Sequence, residues 1–223
     1  LAPHRRVDVK PDDDPEHLDF VALSGHKMYA PFGTGALVGP REIFLRAGPD
    51  YSGGGTVDLV TLDEVYWADL PDRDEAGSPN VVGAVAMAAA AQTLAEVGLD
   101  RIAAHEEELI VYALERLGAI PGVKIYGETD PARAAERVGV IPFNVEGFSP
   151  FLVAAILGYE GGIGVRSGCF CAHPYVTRLL GFSEEQAAIK RAQILSGDRT
   201  DMPGMVRVSF GCYNDVNDID RLG

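Results

Sequence analysis

A lysine follows directly on a short apolar segment near the start of the chain. Residues 19–23 (DFVAL) are typical of a buried strand, and Ser24-Gly25-His26-Lys27 comes straight after them. Most lysines in polar loops are solvated charges. In its neutral form, however, a lysine amine is a nucleophile that forms Schiff bases with carbonyl compounds. Because the Ser24 hydroxyl and the His26 imidazole could both donate to a phosphate, the segment is a candidate cofactor site.

Two cysteines separated by one residue mark a second candidate site. Residues 165–174 read VRSGCFCAHP and contain Cys169 and Cys171. A structural zinc site needs about four ligands, and its paired cysteines usually have two or more residues between them, so the pattern argues against a metal. Two alternatives stay open. The thiols are either buried and inert, or one is a thiolate favoured by the positive charge of the flanking Arg166.

A third segment, residues 75–80 (EAGSPN), combines a turn with a hydroxyl group. Taken alone, it predicts the start of a helix, with Ser78 as N-cap and Pro79 at the first helical position. A helix N-terminus is itself favourable for anions, so Gly77 and Ser78 are also candidates for contacting a phosphate.

A fourth segment, residues 203–214 (PGMVRVSFGCYN), is typical of a strand that carries Arg207. An exposed arginine on an ordinary strand is one interpretation. The other is a carboxylate site, because a planar guanidinium binds a carboxylate through two parallel hydrogen bonds.

The composition of the chain excludes several classes of function. Its 223 residues contain 19 Lys and Arg against 33 Asp and Glu, a formal net charge of −14. A nucleic-acid binder needs a basic face, and an anionic membrane surface attracts basic segments, so neither partner is expected. Three cysteines, of which two are so close together, form no disulfide framework, and this favours a reducing, cytoplasmic compartment.

The elements that must position these groups form a mixed α/β pattern. Helical periodicity runs over residues 81–117 with a break at Gly98, and it returns near residues 150–157, 176–196 and from 215 onwards. Strands are expected near residues 19–23, 57–67, 123–127, 138–145, 161–166 and 205–210. A domain boundary is expected between residues 100 and 120.

The lysine segment is similar to that of a known family. Residues 19–35 (DFVALSGHKMYAPFGTG) resemble the lysine segment of class V aminotransferases, which are fold-type I enzymes that use pyridoxal 5′-phosphate (PLP) and include cysteine desulfurases and selenocysteine lyases. The resemblance implies that Lys27 holds PLP as a Schiff base and that Ser24 and His26 contact its phosphate. Ala30 stands where many members have glycine.

The other three segments extend the resemblance. Residues 75–80 resemble a Glu-Ala-Gly-Thr-Pro-Asn segment, which implies that Gly77 and Ser78 bind the phosphate of a neighbouring subunit in a homodimer. Residues 166–172 resemble the Arg-x-Gly-His-x-Cys-Ala loop of the desulfurases. This implies that Cys171 receives sulfur, although Cys169 stands where histidine is usual. The resemblance also implies that Arg207, with Arg166 as second choice, binds the substrate carboxylate.

The implied function is that of a PLP-dependent enzyme acting on an amino acid. Cysteine desulfurase chemistry would take sulfur from L-cysteine as a persulfide on Cys171, release alanine and pass the sulfur to a possible acceptor protein. Aminotransferase, epimerase and lyase reactions on other amino acids are the alternatives within the family. A truncated, non-catalytic fragment or interaction module is the alternative from a different class.

The resemblance covers nearly the whole chain but only about the C-terminal half of the family's architecture. It implies an α/β fold in which residues 1–100 are the C-terminal part of a large PLP-binding domain, whose sheet is mixed and mainly parallel, and residues 101–223 form a small α+β domain. The family's Asp-x-Ala-Gln motif would precede Leu1. We therefore expect this chain alone to have little or no turnover.

Overall fold

A computed structural model describes residues 3–223 of the chain. The chain separates into two compact units, unit 1 (Leu1–Leu99) and unit 2 (Asp100–Gly223). Leu1, before which the Asp-x-Ala-Gln motif would stand, lies outside the described residues.

Unit 1 contains two separate antiparallel strand pairs and an apolar helix. The first pair joins β1 (Val21–Ser24) to β2 (Gly35–Val38), and the second joins β3 (Val57–Val60) to β4 (Val65–Trp67). A short helix α1 (Arg41–Leu45) lies between the pairs in sequence, and α2 (Val81–Val97) follows them. Both pairs are antiparallel, so the parallel part of the implied sheet is not among the described strands.

Helix α2 is apolar on almost every side. Only Gly83 and Leu94 are buried, whereas Val81, Val82 and Val85 are 60–65% exposed. A helix that is hydrophobic all round is typical of the interior of a larger domain. The helix ends at Gly98, where a φ of 92° breaks the helical backbone as the sequence predicts.

Unit 2 is built on one four-stranded antiparallel sheet. Its strands are β5 (Val123–Ile125), β6 (Val140–Val145), β7 (Arg166–Gly168) and β8 (Met205–Ser209), in the spatial order β5-β6-β8-β7. The accompanying helices are α3 (Leu99–Gly118), α4 (Pro150–Tyr159), α5 (His173–Leu180), α6 (Glu184–Leu195) and α7 (Val216–Leu222).

The core of unit 2 lies where α3 covers the sheet. The apolar face of α3 packs with Ile141 and Phe143 of β6 and Val206 of β8, all at most 3% exposed. Burying a side chain of this size contributes about 1.5–3 kcal/mol to the free energy of folding, so the central strands β6 and β8 are the stable part of the sheet on which the edge strand β7 pairs. Residues 176–196, predicted to be mostly helical, belong to two helices, because Gly181 adopts a left-handed conformation that ends α5 and Ser183 caps α6.

Within the described residues, no single helix combines the length and apolar character needed to cross a membrane. The consecutive helices α2 and α3 meet those criteria only when taken together.

Candidate functional site

The lysine segment folds as a tight turn at the end of β1. Ser24 pairs with Gly35 in the β1–β2 ladder, and a 3-10 turn over Gly25–Met28 follows at once. The Gly25 amide donates to the Thr34 carbonyl at 2.8 Å, and a Cβ at Gly25 would lie only 2.9 Å from that oxygen. The close approach requires glycine, and it fixes the position of Lys27 two residues later.

The polar side chains of this turn are free. Ser24 does not cap the 3-10 turn, and Ser24, His26 and Lys27 are exposed without a hydrogen bond or ion pair to any residue in the 3–223 range. An amine, a hydroxyl and an imidazole thus stand within four consecutive residues, with their donors unused by the fold.

The segment over residues 75–80 lies beside the lysine segment in unit 1. The Gly77 amide donates to the Gly54 carbonyl at 2.9 Å, and the Asn80 side-chain amide donates to the Phe32 carbonyl at 2.7 Å. A cavity of about 510 Å³ lies between residues 33–35 and the start of α2. The two predicted cofactor segments are therefore neighbours in the fold.

The predicted N-cap of α2 was two residues too early. The helix begins at Val81, and Asn80 rather than Ser78 is the cap, since its Oδ1 accepts from the Gly83 amide at 3.0 Å. Asn80 can do this while its Nδ2 reaches Phe32, a long-range contact that no local pattern reveals. The correction leaves the Ser78 hydroxyl exposed and without a hydrogen bond to the described residues, as an anion ligand requires.

The two neighbouring cysteines lie on one strained turn in unit 2. Phe170 and Cys171 both have left-handed backbones, with φ of 54° and 60°, and the Ala172 amide closes the turn by donating to the Cys169 carbonyl at 2.7 Å. Left-handed conformations cost non-glycine residues roughly 1–2 kcal/mol each, and such strain clusters at functional sites. Cys171 is exposed on this turn.

Cys169 has a different environment. It is half-buried, its Sγ–H donates to the Pro203 carbonyl at 3.3 Å, and burial raises the pKa of its thiol. Gly168, just before it, packs so closely on Gly204 that a Cβ at Gly204 would lie 2.7 Å from the Gly168 Cα. The turn is therefore anchored to the segment that leads into β8, and of its two thiols the exposed one at Cys171 is the accessible nucleophile.

Two arginines face each other across β7 and β8. Arg166 and Arg207 are direct partners in the ladder, and neither forms an ion pair with a carboxylate in the described part of the chain. Burial, followed by the charge of Arg166, lowers the pKa of Arg207. Like charges placed opposite each other in a sheet are destabilising, so the pair is an arrangement that an anion would stabilise.

Among residues 3–223, no three His, Cys, Asp or Glu side chains are grouped as metal ligands. The polar groups in the two units are suited instead to organic anions and to covalent chemistry at an amine and a thiol.

Comparison with known proteins shows to which family the chain belongs. The family model described as "Aminotransferase class-V" matches residues 2–222. The chain belongs to the class V aminotransferase family. The resemblance drawn from the sequence is thereby confirmed, and so is the α/β fold-type I class. Class V aminotransferases are PLP enzymes, so the predicted cofactor is confirmed at the level of the family.

Similar proteins carry more specific names. A probable cysteine desulfurase of Staphylococcus aureus is 36% identical over 221 residues, which are 99% of this chain but 46% of that protein. An apo cysteine desulfurase from Thermococcus onnurineus superimposes with a TM-score of 0.75 at 36% identity, over 92% of this chain and 45% of that one. The cysteine desulfurase CsdA of Escherichia coli gives a TM-score of 0.73 at 28% identity, over 92% and 44%. The chain thus spans about half the length of the relatives it matches.

The free groups of unit 1 fit the cofactor of the class V family. A lysine amine suits the aldehyde of PLP, and the hydroxyls of Ser24 and Ser78, with the His26 imidazole, suit its phosphate. Lys27, Ser24, His26, Gly77 and Ser78 all belong to unit 1, whereas Cys171, Arg166 and Arg207 belong to unit 2. Their roles remain predictions.

Two residues that contact the candidate sites, Asn80 and Phe170, were not predicted from the sequence. Asn80 connects α2 to the lysine segment. Its role as the N-cap of α2 could have been predicted, because asparagine is a favoured N-cap residue. Phe170 lies against the Arg207 guanidinium, 5.1 Å from ring centroid to Cζ, and nothing local predicts this contact.

Proposed function

We propose that the protein acts, with bound PLP, as a cysteine desulfurase. It would remove the sulfur atom of L-cysteine, hold that atom as a persulfide on Cys171 and release alanine. The observation that carries the proposal is the exposed Cys171 on a strained turn, whose preceding residue, Phe170, contacts an arginine that has no carboxylate partner. The names of the similar proteins support the same reaction.

Each residue has a definite task in this proposal. Lys27 would hold PLP through its amine, and Ser24 and His26 would donate to its phosphate. Bound PLP supplies an electron-withdrawing ring that accepts the electron pair left on a substrate carbon. Arg207, assisted by Arg166, would bind the substrate carboxylate, and the Lys27 amine would take a proton from the substrate Cα.

The sulfur transfer balances without an external oxidant. Cys171 Sγ, as a thiolate, attacks the substrate sulfur and forms an S–S bond, while the substrate C–S bond breaks and its electron pair goes to carbon. Protonation of that carbon gives alanine. The net change converts cysteine and a protein thiol into alanine and a protein persulfide, which a sulfur-acceptor protein or another thiol can then take up.

Three further assignments belong to the proposal. We infer that the protein forms a homodimer in which Gly77 and Ser78 contact the phosphate of the neighbouring subunit. We also infer that it works in the cytoplasm, where its three thiols stay reduced. The sulfur acceptor is inferred from the chemistry of a persulfide, which must be discharged before the next turnover.

The test uses the protein expressed from its complete reading frame. Cys171→Ala should lower alanine production from L-cysteine by at least about two orders of magnitude, because the attacking nucleophile is gone. PLP should stay bound, and borohydride should still fix it to Lys27, as peptide mass spectrometry would show. Cys212→Ala, at another exposed thiol, is the matched control and should leave the rate unchanged. Undiminished alanine production in Cys171→Ala would refute the proposed reaction, and a label on another lysine would refute the role of Lys27.

A further inference from the structure

Phe170 occupies a backbone conformation that suits its side chain badly. Its φ of 54° lies in the left-handed region, where glycine and asparagine are favoured and bulky residues are outliers. A residue of this size persists there only when its surroundings compensate for the strain. The residue is half-buried, and it packs against the apolar cluster of Tyr126, Val176 and Met205 as well as against a cation.

The ring of Phe170 touches the guanidinium of Arg207. The Arg207 Cζ lies 5.1 Å from the ring centroid, within the range of a cation–π interaction. Arg207 also donates from Nε to the Ser209 hydroxyl at 3.1 Å, and it faces Arg166 across the ladder. Its positive charge is therefore stabilised by an aromatic face and one hydroxyl, with no carboxylate partner among the described residues.

An aromatic face and a carboxylate hold an arginine in different ways. A carboxylate would occupy the paired N–H groups at the edge of the guanidinium and would compete with any anionic ligand. An aromatic face stabilises the cation through the ring quadrupole and leaves the terminal N–H groups free. Arg207 is thus fixed in place and still able to bind an anion.

We propose that Phe170 is a positioning residue that holds the Arg207 guanidinium against the turn that carries Cys171 and ready for a carboxylate. Because Phe170 and Cys171 are the two central residues of one turn, the ring that fixes the cation belongs to the same rigid element as the thiol. That the carboxylate belongs to an amino-acid substrate rests on the proposed function, whereas the positioning of Arg207 by Phe170 does not.

The direct test compares two alkylating reagents on the purified chain. Iodoacetate carries a carboxylate and iodoacetamide does not, so the ratio of their rates at Cys171 reports a positioned cation near the thiol. Cys212 in the same molecules is the internal reference, and peptide mass spectrometry separates the sites. We expect Phe170→Leu to lower the Cys171 ratio by about threefold or more, and Phe170→Tyr, which keeps the aromatic face, to retain it.

The ratio separates positioning from general loss of structure. A variant that merely loosens the turn changes both rates together and leaves the ratio as it was. An unchanged ratio in Phe170→Leu, or an equal fall in Phe170→Tyr, would overturn the proposal. The alkylation needs neither PLP nor turnover, so it stands even if the desulfurase reaction does not.

Kinetics of the protein from its complete reading frame provide a second readout. Phe170→Leu should raise the KM for L-cysteine by about threefold or more while kcat changes by less than about twofold, since the ring acts on binding through Arg207. A fall in kcat with KM unchanged would contradict this role. If L-cysteine is not turned over at all, the proposed function fails, and the alkylation ratio still decides the role of Phe170.

Discussion

Replacing Arg166 by glutamine should stabilise unit 2, because it removes one of two opposed positive charges. Arg166 and Arg207 are direct partners across β7 and β8, and no carboxylate within the described residues pairs with either. Each guanidinium therefore raises the electrostatic energy of the other in the free protein, and a bound anion or high salt would lower that energy.

The magnitude follows from the geometry of the pair. Directly opposed side chains in an antiparallel ladder interact by about 0.2–1 kcal/mol, and like charges are destabilising. Glutamine keeps the length of the side chain and its place in the strand, so Arg166→Gln should raise the free energy of unfolding by about 0.5 kcal/mol at low salt. With an m-value of about 1–3 kcal/mol/M, the urea midpoint would rise by about 0.2–0.5 M.

Salt separates this effect from other causes. The Debye length falls to about 3 Å in 1 M salt, so the repulsion should be screened and the gain should almost disappear there. Urea unfolding followed by circular dichroism at low and high salt measures both values. Arg191→Gln, at an exposed arginine of α6, is the matched control and should show no such dependence. A destabilised Arg166→Gln at low salt, or a gain that persists in 1 M salt, would refute the reasoning.

Two more predictions concern the anchoring of the cysteine turn. Gly204→Ala should destabilise unit 2 by about 1–3 kcal/mol, because its Cβ would lie 2.7 Å from the Gly168 Cα. In the same urea assay Gly158→Ala on α4, whose Cβ meets no neighbouring atom, should instead stabilise by up to about 1 kcal/mol, since alanine favours a helix over glycine. Burial raises the pKa of Cys169, so its thiolate should form at a higher pH than that of an unfolded cysteine. Iodoacetamide labelling against pH should therefore rise later for Cys169 than for the same cysteine in urea-unfolded chain, and equal profiles would contradict the assignment.

Much of the fold was predictable because it follows local rules. The long helical stretch and its break at Gly98 are explained by apolar periodicity and by the positive φ that glycine allows. The division between α5 and α6 follows local rules as well, since Gly181 ends the first helix and the capping box begun by Ser183 starts the second.

What the sequence did not yield depends on contacts between distant segments. Ser78 and Asn80 are both acceptable N-caps, and the choice between them follows from the bond of Asn80 to Phe32, 48 residues earlier. The left-handed backbone at Phe170 runs against its residue type, and the contacts that accompany it are with distant residues, the Arg207 guanidinium and the apolar cluster around Met205. Local sequence patterns thus located the candidate lysine, cysteine and arginines. Only the tertiary structure shows the strained backbone at Cys171 and the pairing of Arg166 with Arg207.

The central claim is that Cys171 receives the sulfur atom of the substrate. The protein from its complete reading frame, loaded with PLP, would be treated with L-cysteine carrying a heavy sulfur isotope, and its peptides analysed by mass spectrometry without reduction. We expect one labelled sulfur atom added to Cys171 and none on Cys169 or Cys212. Labelled sulfur on another residue, or alanine released with no sulfur on Cys171 at any time of sampling, would contradict it.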